Sequence, residues 1–304
     1  MLRILKNTTL ALGVSLALAG QALAVPTVLP NPTTPPGYAI QYDQFYSYST
    51  HLLTAWGVPG YDFSTGTGGL DLVIGTGANG ASNSSVGLGG AFAFPDPMST
   101  PGGGSDQTFA GIWGPTGSNA PVTVDYLLSY LHSSFGNDVN VPVFYFDMTE
   151  PGNGGKQNLD VVGQVFIKNG ASTVASWAFD NIANGVFDDP NTNPNAWVNA
   201  PGSITAPNPL DPLGPTYTVP NNLGNGKPDF IVYAPTMDLT AYTGLGYTIE
   251  MDFMMRKLDG SFEELFLTGA FQPHDAVATP EPGTLALMGI GALGAAFARR
   301  RKAG

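Results

Sequence analysis

Carboxylates are the side chains with which this sequence could do chemistry. Glu250 and Asp252 stand two residues apart in an apolar, strand-like segment, so they share one face of a strand. Two carboxyl groups about 5 to 9.5 Å apart across a glycosidic bond serve as acid and as base or nucleophile. Asp147 with Glu150, and Glu263 with Glu264, are further pairs. With 23 acidic residues in the chain, such pairs also arise on solvated faces, and no catalytic residue is assigned. Asp180, Asp188 and Asp189 sit in a Pro/Asn-rich stretch and are candidate oxygen ligands for Ca²⁺, the one cofactor the sequence admits. From Asn221 to Asp229, Asn221, Asn225 and Gly226 fit the first, fifth and sixth positions of a calcium loop. Leu223 and Val232 then occupy positions that need oxygen ligands, so this segment reads as a turn.

Gly75-Thr76-Gly77-Ala78-Asn79-Gly80 has dinucleotide-binding spacing, but a poor helix former follows, where a helix N-terminus would have to face the pyrophosphate. His51, His132 and His274 are scattered and cysteine is absent, which leaves a zinc site or a nucleophilic triad little to build on. Trp56, Trp113, Trp177 and Trp197, with 12 Tyr, suit either a sugar-stacking platform or a packed core.

The elements that must position these residues are short. Glycine plus proline amounts to 66 of 304 residues, which excludes a helical bundle. Residues 25–37 form a Pro/Thr-rich leader, expected to be extended and mobile. Near-alternating aromatics predict a strand over 38–49. Between Gly66 and Gly104, 12 of 39 residues are Gly, with strand-like runs only at 70–74 and 91–94. Val124, Leu127, Leu128, Leu131 and Phe135 recur at helical spacing and predict one helix over 121–136. Strands are predicted at 141–148, 159–168, 173–179, 216–219, 229–234, 247–255 and 264–271. The polar, Pro/Asn-rich stretch between Phe179 and Thr216 reads as a long surface loop. The pattern predicts a mainly β fold over 38–271, an antiparallel β-sandwich or jelly-roll-like body with one short helix, followed by a linker at 272–279.

Both termini read as addresses. Arg3 and Lys6, the apolar run from Leu10 to Ala19, and the small residues Ala22 and Ala24 make a signal peptide over 1–24, cut by signal peptidase before Val25. At the other end, Pro280-Glu281-Pro282 precedes an uncharged apolar run over 283–298 and then Arg299, Arg300, Arg301 and Lys302. As a transmembrane helix the run spans roughly 24 Å, and the cations after it would stay cytoplasmic. This arrangement resembles the PEP-CTERM sorting signal of exported bacterial proteins. The resemblance implies recognition of Pro280, Glu281 and Pro282 by a membrane-embedded exosortase, with Arg299 to Arg301 as the stop signal. It also implies release to the surface or extracellular polysaccharide matrix of a Gram-negative cell, after transient anchoring in the inner membrane.

Removing both ends leaves 5 of the 11 basic residues but 22 of the 23 acidic ones, so the body carries a formal charge of −17. Such a surface repels nucleic acid. The body is therefore expected to be a non-catalytic structural or exopolysaccharide-associated protein. A secreted polysaccharide hydrolase using Glu250 and Asp252, or a calcium-dependent adhesion module, is the alternative.

Overall fold

Runs of Val, Phe, Tyr and Thr broken by Gly, Pro and Asn fold as short strands. The structure, a computed structural model, describes residues 27–33, 37–59, 70–76, 98–100, 107–113, 122–148, 158–220, 227–258, 263–268 and 271–273. All of these belong to the first of two compact units, Met1–His274 and Asp275–Gly304. In chain order the elements are β1 (Thr27–Val28), β2 (Ile40–Tyr42), β3 (Phe45–Ser49), α1 (Thr50–Ala55), β4 (Leu70–Thr76), β5 (Met98–Thr100), β6 (Gln107–Trp113), α2 (Val124–Phe135) and β7 (Val143–Asp147). There follow β8 (Asp160–Asn169), β9 (Ser172–Phe179), β10 (Val198–Asn199), β11 (Ser203–Asn208), β12 (Asp211–Pro220), β13 (Phe230–Tyr233), β14 (Thr248–Leu258), β15 (Glu263–Thr268) and β16 (Phe271–Gln272). The fold is mainly β, and its strand pairs are antiparallel except β1 with β16 and β4 with β5.

One sheet has the order β2-β3-β13-β7-β15-β4-β5. Period-two alternation in β3, β7 and β13 gives it two apolar faces. Phe45, Phe144, Phe146, Phe230 and Val232 join one core, while Tyr46, Tyr48, Tyr145, Ile231 and Tyr233 join another with Leu52, Leu53 and Trp56 of the α1 segment. Tyr48 is buried and its hydroxyl donates to Pro30 O at 2.8 Å, so the ring is packed without stranding its polar end. Leu29 is fully buried in the same core and the neighbouring β1 pairs with β16, so part of the leader is packed into the body.

The second sheet has β14 between β8 and β6, with β9 and β10 both pairing β8. Ile249, Met251, Phe253 and Met255 face the core shared with the first sheet, and Glu250, Asp252, Met254 and Arg256 lie on the other face. The register shifts between Arg256 and Leu258, with Lys257 left-handed at φ 62°, which marks a bulge. The bulge lets two successive cations reach one buried carboxylate: Arg256 Nε lies 2.7 Å and Lys257 Nζ 2.9 Å from Asp160 Oδ2. α2 seals this core with Val124, Leu127, Leu128 and Leu131; Thr123 Oγ1 accepts from Tyr126 N at its start and Gly136 ends it.

Three expectations need correction. The single strand over 38–49 is a hairpin, because Asp43 turns left-handed (φ 45°) and pairs Tyr42 with Phe45. A second helix, α1, follows it at once, with Ser49 as N-cap. The stretch between Phe179 and Thr216 is a loop only in its first part. Ile204 and Ala206 pair across β11 and β12 with Val219 and Tyr217, all packing on the α1-side core, and β10 adds to β8. Prolines 207, 212 and 215 are tolerated because this hairpin forms its own two-stranded sheet, in which each strand has an open edge. The signal segment, the run 91–94, the turn 221–226 and everything from residue 274 lie outside the described residues. Among the described residues no helix is long and apolar enough to cross a membrane.

Candidate functional site

Between the facing sides of the two sheets, with β11 along one side, lies a half-open cavity of about 510 Å³, inside the ~300–1,000 Å³ range of small-molecule sites. β3 contributes Phe45, Ser47 and Ser49, β8 contributes Val161, Gly163 and Val165, and β14 contributes Met251, Phe253 and Met255. Three alternate strand positions span about 14 Å at ~3.4 Å per residue, so the walls are long as well as apolar. Gly163 has a steric reason: a Cβ there would stand 2.8 Å from Phe253 Cδ1 and 3.0 Å from Asp252 O. The bare backbone lets the Phe253 ring lie across β8. Tyr42 also lines the cavity, and burial pushes its hydroxyl pKa above 10.0. Among the described lining residues there is no carboxylate, amine, guanidinium or imidazole. Trp56 lines the cavity too, is 5% exposed, and its buried Nε1–H has no hydrogen-bond partner. An unsatisfied buried donor costs about 1–3 kcal/mol, and this one has essentially no surface open to the cavity.

The candidate calcium ligands separate. Asp180 Oδ1 accepts from Ile182 N at 2.8 Å and its Oδ2 from Asp188 N at 3.0 Å. Asp188 accepts from the side chains of Asn184 (2.6 Å) and Asn193 (3.0 Å). Asp189 instead holds Asn191 through N and Nδ2. The third acid beside Asp180 and Asp188 is Asp43, which sequence reasoning missed because it sits 137 positions before Asp180. Its hairpin turn docks on β9, where Gln44 exchanges bonds with the Ala178 backbone. Asp43 Oδ1 accepts from Gly185 N at 2.8 Å, while the buried Oδ2 has no partner. Burial, and then the Asp188 charge, hold the Asp43 carboxyl above its ordinary range; burial followed by the charges of Asp43 and Asp188 does the same to Asp180. Among the described residues no three acidic or histidine side chains are placed to hold a metal ion.

Glu250 and Asp252 do share a face, but it is the face turned away from the cavity. Glu250 pairs with Lys168 at 3.5 Å, and that ammonium also lies 4.5 Å from the Phe166 ring centroid. Burial, then the Glu250 and Asp189 charges, raise the Asp252 carboxyl above its ordinary range. Asp147 and Glu263 are buried, and Glu150 and the Glu264 side chain lie outside the described residues. His51 stands 3.5 Å from Asp229, His132 meets Asn140 at 2.9 Å, and His274 is outside the described residues. Trp177 is buried with Nε1 donating to Thr236 Oγ1, and Trp197 is covered by the Arg256 guanidinium 4.5 Å from its centroid. Of Trp113 only the backbone is described, in β6. Gly75 and Thr76 of the glycine pattern lie inside β4, paired with β5.

A family model covers most of these elements. Residues 28–254 match the family described as Domain of unknown function (DUF8239). The chain belongs to that family. The DUF8239 match takes in every described cavity-lining residue except Met255 and Leu265. Residues 278–302 match the PEP-CTERM protein-sorting motif, so this DUF8239 protein is one sorted to the cell exterior through exosortase. The match contains Pro280, Glu281, Pro282 and Arg299 to Arg301, which lie outside the described residues. No curated protein and no solved structure matches the chain.

Proposed function

We propose that the body is a non-catalytic binding module, sandwich-like in architecture, carried to the surface or exopolysaccharide matrix of a Gram-negative cell. The observation that supports this reading is the absence of any acid, base or cationic side chain among the described residues of the cavity wall. Hydrolysis needs a proton donor and a base at the bound substrate, and such a wall supplies neither. The two described tryptophans with buried rings and the one beneath Arg256 make a poor sugar platform.

A second reading rests on the raised Asp252 carboxyl beside Glu250, a pattern suited to acid and base roles in polysaccharide cleavage. One experiment separates the two. The exported protein is mixed with the producer's own matrix; co-sedimentation without new reducing ends is expected. Reducing ends that vanish in Glu250→Gln or Asp252→Asn would establish the hydrolase instead.

A further inference from the structure

We infer that Asn184 is a self-modification site: the folded loop that carries it converts it through a succinimide to aspartate or isoaspartate without an enzyme, with the Asp43 carboxylate as base. The inference is independent of the cavity and goes beyond the binding reading. It rests on the bonds made by the groups that such a ring closure uses.

In an Asn-Gly peptide the glycine nitrogen closes the succinimide ring on the Asn Cγ, and no glycine side chain crowds the attack. The slow part is removal of the amide proton. In Asn184-Gly185 the Gly185 N–H already donates to Asp43 Oδ1 at 2.8 Å, within the reach that proton transfer needs. Asp43 is buried and its Oδ2 has no partner. Burial, and then the Asp188 charge, hold its carboxyl above the ordinary range, so it is a stronger base than a solvated aspartate. The carbon under attack is polarised as well. Asn184 Oδ1 accepts from Val186 N at 2.9 Å, and that bond strengthens as charge builds on Oδ1 in the tetrahedral intermediate. On the other side Nδ2 donates to Asp188 Oδ2 at 2.6 Å, which holds the side chain in one orientation. The bond from Gly185 N to Asn184 Cγ forms, the Cγ–Nδ2 bond breaks and ammonia leaves. The proton taken from Gly185 ends on that ammonia by way of Asp43 and solvent. Asn184 and Gly185 are exposed, so water reaches the succinimide and opens it at either carbonyl. Either product sets a carboxylate where an amide had donated to Asp188, in a cluster that already holds Asp43 and Asp180.

Asn169-Gly170 is an internal control. It is the same dipeptide, equally exposed, in the β8–β9 turn with Gly170 left-handed at φ 59°, and among the described residues no carboxylate bonds to Gly170 N. The full chain as exported by its cells is incubated at pH 7.5, and ammonia loss and isoaspartate at each site are followed by peptide mass mapping. In the folded protein Asn184 should react at least about tenfold faster than Asn169, a modest share of what a positioned base contributes. In urea the two rates should fall within about threefold of each other, since the base is no longer positioned. Asp43→Asn, which keeps the bond to Gly185 N, should bring Asn184 of the folded protein to within about threefold of Asn169. The pH profile separates a base from a mere support. Catalysis by Asp43 levels off once its carboxyl is ionised, so the wild-type rate at Asn184 should be nearly flat from about pH 6 to 8, while the rates at Asn169 and in Asp43→Asn climb with hydroxide. The inference is overturned if Asn184 reacts no faster than Asn169 in the folded chain, if its advantage persists in urea, or if Asp43→Asn leaves its rate and pH profile unchanged. None of these outcomes touches the binding reading.

Discussion

Replacing Asp43 with Asn should make the protein more stable at neutral pH. Asp43 is 5% exposed and left-handed at φ 45°, a conformation that Asn tolerates as well as Asp. The bond from Gly185 N to Oδ1 survives the change. What is lost is a buried negative charge whose Oδ2 has no partner and whose neighbours, Asp180 and Asp188, are also acidic. The neutral amide removes the charge that burial and the Asp188 carboxylate oppose. Leaving a buried acceptor unsatisfied costs about 1–3 kcal/mol, and a domain of this size gains about 2–4 °C in Tm per kcal/mol, so a rise of at least about 2 °C is expected. The pH dependence carries a sign. With the folded pKa above 3.8, the native state takes up the proton more readily than the unfolded chain, so wild-type stability falls as pH rises from 3.8 through the folded value and is level above it. The advantage of Asn is therefore full at pH 7.5 and fades as pH falls through that window. Calorimetric melts at pH 7.5 and pH 4, each with EDTA or excess Ca²⁺, measure both. The reasoning fails if Asp43→Asn lowers Tm at pH 7.5, or if Ca²⁺ stabilises wild type and not the variant, since the carboxylate would then be a cation ligand.

Other substitutions probe the frame around the cavity. Asp160→Asn should destabilise by about 2–3 kcal/mol, below the usual value for a buried pair because Arg256 and Lys257 are 39% and 38% exposed. Burial opposes the ionised Asp160, but bonds from Asn199, Lys257 and Arg256 prevail and hold the carboxyl below its ordinary range. The stabilisation is thus present above 3.8 and lost as pH falls through the lowered folded value, which urea titrations at several pH values will show. Gly163→Ala pushes a methyl into Phe253 and should cost about 1–3 kcal/mol by denaturant midpoint. Thr123→Ala removes the cap of α2 and should cost about 1 kcal/mol by the same measurement.

The sequence shows most strands because alternation and breakers are local signals. β7, β8, β9, β13 and β14 fall within two or three residues of their predicted ends. α2 was equally legible, although its cap is Thr123 and the helix begins at Val124. The left-handed turn at Asp43 was hidden because Asp-Gln does not advertise positive φ as Asn-Gly does, so β2 and β3 read as one strand. The β11–β12 hairpin was masked by prolines that a separate two-stranded sheet tolerates. The cavity was invisible for a different reason. Ser47, Gly163, Met251 and Trp56 become neighbours of one space only through the pairing of β3 with β13, of β8 with β14, and the shared core between them. No spacing rule links such positions.

The strand order also governs when the body can close. β14 lies between β8 and β6, and β15 between β7 and β4, so late-synthesised strands occupy the interior of both sheets. Until residue 268 is available, β4 has no contact with β7 through β15, and the cavity wall lacks Leu265. Long-range pairing of this kind folds slowly, because loop closure must precede its reward. On a chain exported from its N-terminus, this strand order completes the cavity wall only once residue 268 is outside.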